Sequence, residues 1–183
     1  MKMVTTPFEG LYIVEPSVFG DERGYFFESY QAGRYAEYGM NVLFVQDNES
    51  MSNYGVVRGL HYQEFPYSQS KLVRVIVGSV YDVALDLRHE SPTFGRWFGL
   101  ELSADNKRQL FIPKGFAHGF SVTSERAIFS YKCDQLYRKD AERSINFADP
   151  SLAIDWMVPP DRLIASSKDS EAPLFDRNQI YFK

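Results

Sequence analysis

The stretch from residue 71 to residue 88 constrains the fold more than any other, because two alternating runs meet there at one glycine. Val73, Val75 and Val77 fall on one face of a first strand, and Tyr81, Val83, Leu85 and Leu87 on one face of a second. A period of two is the signature of a strand, and Gly78-Ser79 is a two-residue turn able to join the arms as a β-hairpin. The opposite face of the second arm (Val80, Asp82, Ala84, Asp86, Arg88) is markedly more polar.

Short apolar runs recur along the rest of the chain, separated by turn residues. Residues 11–14 form a strand candidate closed by Pro16, residues 18–24 read as a turn, and residues 25–28 as the strand after it. Residues 31–38 make the best short helix, with Gly39 where a helix C-terminus prefers glycine. Residues 42–46 are extended, residues 100–102 and 109–112 flank a Ser-Ala-Asp-Asn turn, and Val122 and residues 127–133 add further strands. Many short strands at spacings of about ten residues, with little helix, indicate an all-β sandwich or barrel. A double-stranded β-helix jelly roll is the expected form, as one domain over residues 1–183, with an irregular segment from about residue 159 packing on the barrel. Aromatic residues at 16% support strands, since flat rings pack well on a pleated surface.

Net charge is -4, which argues against general nucleic-acid binding, because that needs a broad basic surface. A small anionic ligand stays compatible, held by a few converging Arg and Lys side chains. The single cysteine, Cys133, has no intrachain partner, so a reducing compartment is expected. Neither a signal-peptide run nor a membrane-length apolar stretch is found, and a soluble, cytoplasmic protein is the expectation.

Three histidines are available. His89 sits among charges at a strand end. His61 and His118 lie in apolar, glycine-punctuated segments, where a hydrogen-bonded core histidine is the commoner role for either one alone. Gly55-x5-His61-x-Gln63 and Pro113-x-Gly115-x-x-His118 resemble the two metal-binding motifs of cupins. The second ligand position is Gln63, however, and Tyr67 and Ser68 stand where a carboxylate is needed. Two histidines and an amide are a poor donor set, so no metal is expected.

Without a metal, an imidazole with an ordinary pKa of about 6.5 becomes a candidate base. Removing a proton from carbon also needs a group at the oxygen of the resulting enolate. Lys71 opens the strand after the His61 segment and suits that task, with a solvated strand end as the competing reading. Inversion needs an acid on the opposite face. Tyr131, in phase with Phe129 and Cys133, is the candidate, although isolated buried tyrosines are usually structural. Arg23 and Arg58 suit an anion, and Gln46 and Asn48 share a strand face with Asp47 opposite. In a regular strand Arg58 and His61 would point to opposite faces, so Gly59 must mark a bulge if both serve one cavity.

These segments together resemble the dTDP-4-dehydrorhamnose 3,5-epimerase family. The resemblance rests on Phe19-Gly20-Asp21-Glu22-Arg23-Gly24, Phe44-Val45-Gln46-Asp47-Asn48, Arg58-Gly59-Leu60-His61, Lys71-Leu72-Val73-Arg74, Asp82-Val83-Ala84, Phe116-Ala117-His118-Gly119-Phe120 and Lys168-Asp169, in order over nearly the whole chain. It implies a cofactor-free jelly-roll homodimer acting on dTDP-4-dehydro-6-deoxy-D-glucose. It also implies His61 as base oriented by Asp169, Tyr131 as acid, and Lys71 beside the C4 oxygen. Arg23, Glu28, Gln46, Asp47, Asn48, Arg58, Asp82, His118, Glu142 and Lys168 fall at substrate-contact positions, and Tyr137 matches an aromatic that stacks on thymine. Arg23 and Glu28 are implied to reach the partner subunit's site. Arg143 stands where glycine usually follows the glutamate, and brings bulk and charge beside Glu142. Rival readings are a single-position epimerase, a ketoisomerase, a nucleotide-sugar-binding module and a metal-dependent oxygenase.

Overall fold

The computed structural model describes residues 1–182. Among them, two sheets face one another. One contains β1 (Lys2–Thr5), β2 (Tyr12–Glu15), β5 (Gln46–Asn53), β7 (Lys71–Val77), β10 (Gln109–Ile112) and β12 (Arg126–Cys133), in the spatial order β1-β2-β10-β7-β12-β5. The other contains β6 (Val57–Gln63), β8 (Ser79–Asp86), β9 (Trp97–Ser103), β11 (Phe116–Val122) and β13 (Glu142–Ser144), in the order β13-β6-β11-β8-β9. From β5 to β13 the chain passes from sheet to sheet at nearly every connection, and only β8 and β9 stay together. That winding is a double-stranded β-helix jelly roll. β3 (Val18–Asp21) and β4 (Gly24–Phe27) form a separate hairpin, so the segment expected to be a turn supplies a strand of its own.

The expected hairpin over residues 71–88 does not form. β7 pairs with β10 and β12, while β8 pairs with β9 and β11. Gly78 does turn the chain, at φ 77°, but a side chain there would collide with the Arg126 carbonyl, and the arms separate into opposite sheets. Alternation reports which residues share a face. It does not report which strand lies alongside.

Three apolar clusters explain the layering. Val73 and Val75 of β7 meet Val80 and Ala84 of β8 between the sheets, with Leu110, Phe120 and Phe129. The more apolar face of β8 points outward instead. Val83, Leu85 and Leu87 pack with Val57, Leu60 and Tyr62 under Leu152, Trp156 and Phe175 of the C-terminal segment. Each such side chain contributes about 1.5–3 kcal/mol when fully buried. The more polar face of β8 is therefore the inner one, because the C-terminal segment makes the outer face a core of its own. On the far side, the helix α1 (Ala32–Ala36), capped by Gln31, buries Tyr35 against Val14, Leu72 and Phe111.

The C-terminal segment is irregular but tightly fastened. The indole of Trp97 donates to the Leu152 carbonyl at 2.9 Å and Ser121 Oγ to the Trp156 carbonyl at 2.5 Å. Val57 and Gly55 exchange backbone hydrogen bonds with Ile164. It includes a one-turn helix, α2 (Ser167–Ser170), capped by Ser166. No helix among the described residues is long and apolar enough to cross a membrane.

Candidate active site

A cavity of about 250 Å³ opens between the two sheets, lined by Gln46, Asn48, His61, Lys71, Tyr131 and Glu142 among others. Its walls follow from strand phase. On β6, Val57, Leu60 and Tyr62 face outward, while Arg58, His61 and Gln63 face inward, so one residue is surplus between 58 and 61. The pairing with β11 shows where it goes: His118 lies opposite His61 and Phe120 opposite Arg58, which leaves Gly59 and Leu60 on β6 against Gly119 alone on β11. Gly59 forms the expected bulge with φ 122°, and a Cβ there would sit 2.5 Å from the Gly119 Cα. Arg58 then reaches inward, its Nε donating to Ser52 Oγ at 3.0 Å.

His61 Nε2 lies 2.6 Å from Asp169 Oδ1. The histidine side chain is 30% exposed and the aspartate 6%. Burial alone would raise the Asp169 pKa, but the hydrogen bond to His61 and the positive charges nearby hold it below the ordinary carboxylate value. Ser166 Oγ accepts the Asp169 backbone N–H at 3.2 Å, fixing the short helix that presents the carboxylate. Arg58, Lys168 and Asp169 line an adjoining cavity that shares His61.

Tyr131 and Lys71 come from the opposing sheet. Burial pushes the Tyr131 phenol above its ordinary pKa, so it is a proton donor at neutral pH. Lys71 pairs across β7 and β12 with Cys133, which lines the same cavity. Burial pushes the Lys71 ammonium below its ordinary value, against the pull of Cys133, Asp82 and Glu142. Both carboxylates have closer partners: Asp82 bonds His118 at 2.9 Å, and Glu142 bonds Lys168 at 2.6 Å. Burial pushes the Cys133 thiol up to about 11, so it stays neutral beside Lys71, while Asp82 keeps Oδ1 buried without a hydrogen-bond partner.

His118 is fully enclosed beside His61, and burial pushes its imidazole down despite the Asp82 carboxylate. At the mouth, the Tyr137 hydroxyl donates to Glu142 Oε2 at 3.0 Å and leaves its ring half exposed. Gln46 Nε2 donates to Asn48 Oδ1 at 2.9 Å, with both on the inner face as strand phase requires.

Three expected site residues lie elsewhere. Asp47 turns to the outer face, where its carboxylate holds Lys132 at 2.9 Å, so its side chain is no part of this cavity. Arg23 is 84% exposed beside Asp21 on the outlying β3–β4 hairpin, and Glu28 pairs with Arg34 at 3.2 Å. Arg143 points away from the cavity onto Glu64 at 2.7 Å, since it alternates with Glu142 on β13. Gln63, Gln69 and Cys133 line the cavity without having been singled out for it. The phase of Cys133 with Tyr131 was the available signal for the thiol. Among the described residues no group of three His, Cys, Asp or Glu side chains is arranged to hold a metal ion.

Residues 5–177 match the sequence model of the dTDP-4-dehydrorhamnose 3,5-epimerase family. The dTDP-4-dehydrorhamnose 3,5-epimerase of Shigella flexneri is 52% identical over 176 residues, covering 96% of each chain. The crystal structure of the enzyme of that name from Elizabethkingia anophelis superimposes with a TM-score of 0.94 at 53% identity, over 99% of both chains. A dTDP-6-deoxy-D-glucose-3,5-epimerase from Legionella pneumophila, in complex with dTDP-4-keto-L-rhamnose, superimposes with a TM-score of 0.91 at 52% identity, over 94% of this chain and 92% of that one. With that agreement over nearly its whole length, the chain belongs to the dTDP-4-dehydrorhamnose 3,5-epimerase family.

Proposed function

We propose that the protein inverts both C3 and C5 of dTDP-4-dehydro-6-deoxy-D-glucose, giving dTDP-4-dehydro-L-rhamnose for dTDP-L-rhamnose synthesis. One observation carries the reading: His61, bonded to Asp169, and the Tyr131 phenol belong to opposite walls of one cavity, with Lys71 on the strand next to that of Tyr131. Base and acid on opposite walls are what inversion at carbon demands.

The C4 ketone acidifies the protons on both neighbouring carbons, so one carbonyl serves both inversions. With its Nε2–H donated to Asp169, His61 presents the Nδ1 lone pair as base. The C–H bond breaks, its electrons form the enolate, and the Lys71 ammonium stabilises the charge developing on the C4 oxygen. The Tyr131 phenol delivers a proton from the other face, solvent water then takes the proton from His61 and returns one to Tyr131, and the cycle repeats at the second carbon. Arg58, His118, Gln46 and Asn48 surround the sugar. Tyr137 stacks on the thymine, with Glu142 and Lys168 beside it. The β3–β4 hairpin, with exposed Phe19, Tyr25 and Phe26, fits an arm that docks on a second copy and carries Arg23 and Glu28 toward its cavity. A soluble cytoplasmic homodimer is the form proposed.

The test is incubation with dTDP-4-dehydro-6-deoxyglucose in D2O, with NMR locating the label. Deuterium at C3 and C5 supports the reading. Label at one carbon makes the protein a single-position epimerase, and no label overturns the enzyme assignment.

A further inference from the structure

The side chain of Gln63 occupies the position where a metal-binding cupin has a ligand, yet all of its hydrogen bonds go to backbone. It is 4% exposed. Its Nε2 donates to the Tyr67 carbonyl at 2.7 Å and to the Leu136 carbonyl at 3.2 Å, and its Oε1 accepts the Arg138 N–H at 2.6 Å. Leu136 and Arg138 are the two neighbours of Tyr137. The N–H of Tyr137 itself is accepted by Gln46 Oε1 at 3.0 Å. Three consecutive backbone groups are thus held by two inward-facing amide side chains, one from each sheet.

The half-exposed ring of Tyr137 sits on an irregular loop, so it depends on such fastenings to stay in one place. Its hydroxyl bond to Glu142 fixes the far end of the ring, and the backbone clasp fixes the near end. Gln63 also stands two residues from His61 on the same strand face, so the base and the clasp share one rigid element. An amide is the only common side chain that offers two donors and an acceptor with no charge in this buried position.

We propose that Gln63 is a positioning residue for nucleotide recognition: by clamping the residues on either side of Tyr137, it sets that ring at the cavity mouth for the base of a nucleoside diphosphate. This rests on the reading of Tyr137 as the stacking residue. Gln63 makes no contact with the reacting atoms and acts through Tyr137 alone.

The experiment compares wild type with Gln63→Glu, which keeps the acceptor for Arg138 but sets oxygen against the Tyr67 and Leu136 carbonyls. Gln63→Met, which buries no charge, serves if the first variant does not fold. Binding of dTDP by calorimetry should weaken about tenfold, the loss expected when buried hydrogen bonds of this kind are broken. KM should rise in step while kcat stays within about twofold, the pattern of lost uniform binding. Tyr137→Ala should then cost much less in the Gln63 variant than in wild type, because the ring is already misplaced. Unchanged dTDP affinity, additive effects of the two substitutions, or a fall in kcat at constant KM would each overturn the proposal. If Tyr137→Ala alone leaves dTDP binding intact in an otherwise wild-type protein, the stacking assignment is what fails.

Discussion

His61 and Asp169 are 108 residues apart in sequence, yet Nε2 and Oδ1 are 2.6 Å apart across the seam between β6 and the C-terminal helix α2. A buried carboxylate against one ring nitrogen fixes the tautomer and steadies the imidazolium that forms when the other nitrogen takes a proton. Asp169→Asn keeps the shape and removes the charge. We expect kcat to fall by about 10²-fold or more with KM changed by less than a few-fold. Steady-state kinetics on the two proteins decides it, and a variant with wild-type kcat would show that the pair is structural.

Tyr131→Phe should separate proton removal from proton return. The phenol, raised above its ordinary pKa by burial, is the proposed donor, so its loss should lower epimerisation by roughly 10²–10⁴-fold. His61 is untouched, and exchange with solvent deuterium should persist in recovered substrate. Complete loss of exchange would place Tyr131 in the first step rather than the second.

Among the described residues Lys71 is in no salt bridge, while Asp82 pairs with His118 and Glu142 with Lys168. Lys71→Met should therefore cost about 10²–10³-fold in kcat, comparable to removing an oxyanion donor. Lys71→Arg should rescue poorly, since a planar fork does not replace a compact charge. Equal activity of the Arg variant and wild type would argue for a loose anion contact instead.

Gly59→Ala tests the bulge. The new Cβ meets the Gly119 Cα at 2.5 Å and the His118 carbonyl at 2.7 Å, on a backbone with φ 122° that side chains avoid. A loss of stability on the order of 3 kcal/mol is expected by denaturant titration. Activity should drop further than stability alone explains, because Arg58 and His61 share the inner face only through that bulge. An unperturbed midpoint would mean that the strand slips without penalty.

Acid stability should fall in two limbs. Burial pushes His118 below its ordinary value, so the unfolded chain takes up that proton first, and stability declines as pH drops below about 6.5. Burial would raise Asp86, but hydrogen bonds from Arg88, Thr93 and Ser91 hold its pKa below the ordinary value in the folded state. The Asp86 contribution is thus fully present above about pH 4 and lost as pH falls through the folded value. Melting temperatures from pH 8 to pH 3 should show both declines. In Asp86→Asn the lower limb should flatten, and an unchanged slope would assign it to other carboxylates.

Much of this was legible in the alternation of residues. The phase of Phe129, Tyr131 and Cys133 put all three inside, and the phase of Gln46 and Asn48 against Asp47 held. The conflict between Arg58 and His61 demanded a bulge that is there. Pairing was not legible, because β7 and β8 are adjacent in sequence yet bond to other strands, β7 to β10 and β12 and β8 to β9 and β11. The direction of β8 was not legible either: its apolar face reads as core, but the C-terminal segment makes the outside of that sheet a second core. Nor could local pattern link Asp169 to His61, since a contact over that distance leaves no periodic trace. There the family resemblance supplied the partner.

The segment that closes this second core also delivers Asp169. Leu152, Trp156 and Phe175 seal the outer face, and α2 follows the same path to the edge of β6. A chain whose barrel has formed but whose last thirty or so residues have not docked would hold a cavity, a lysine and a tyrosine, with no oriented base. On the proposed mechanism, proton abstraction is thus a property of the finished molecule, and activity would serve as a readout of whether the last part of the chain has settled into place.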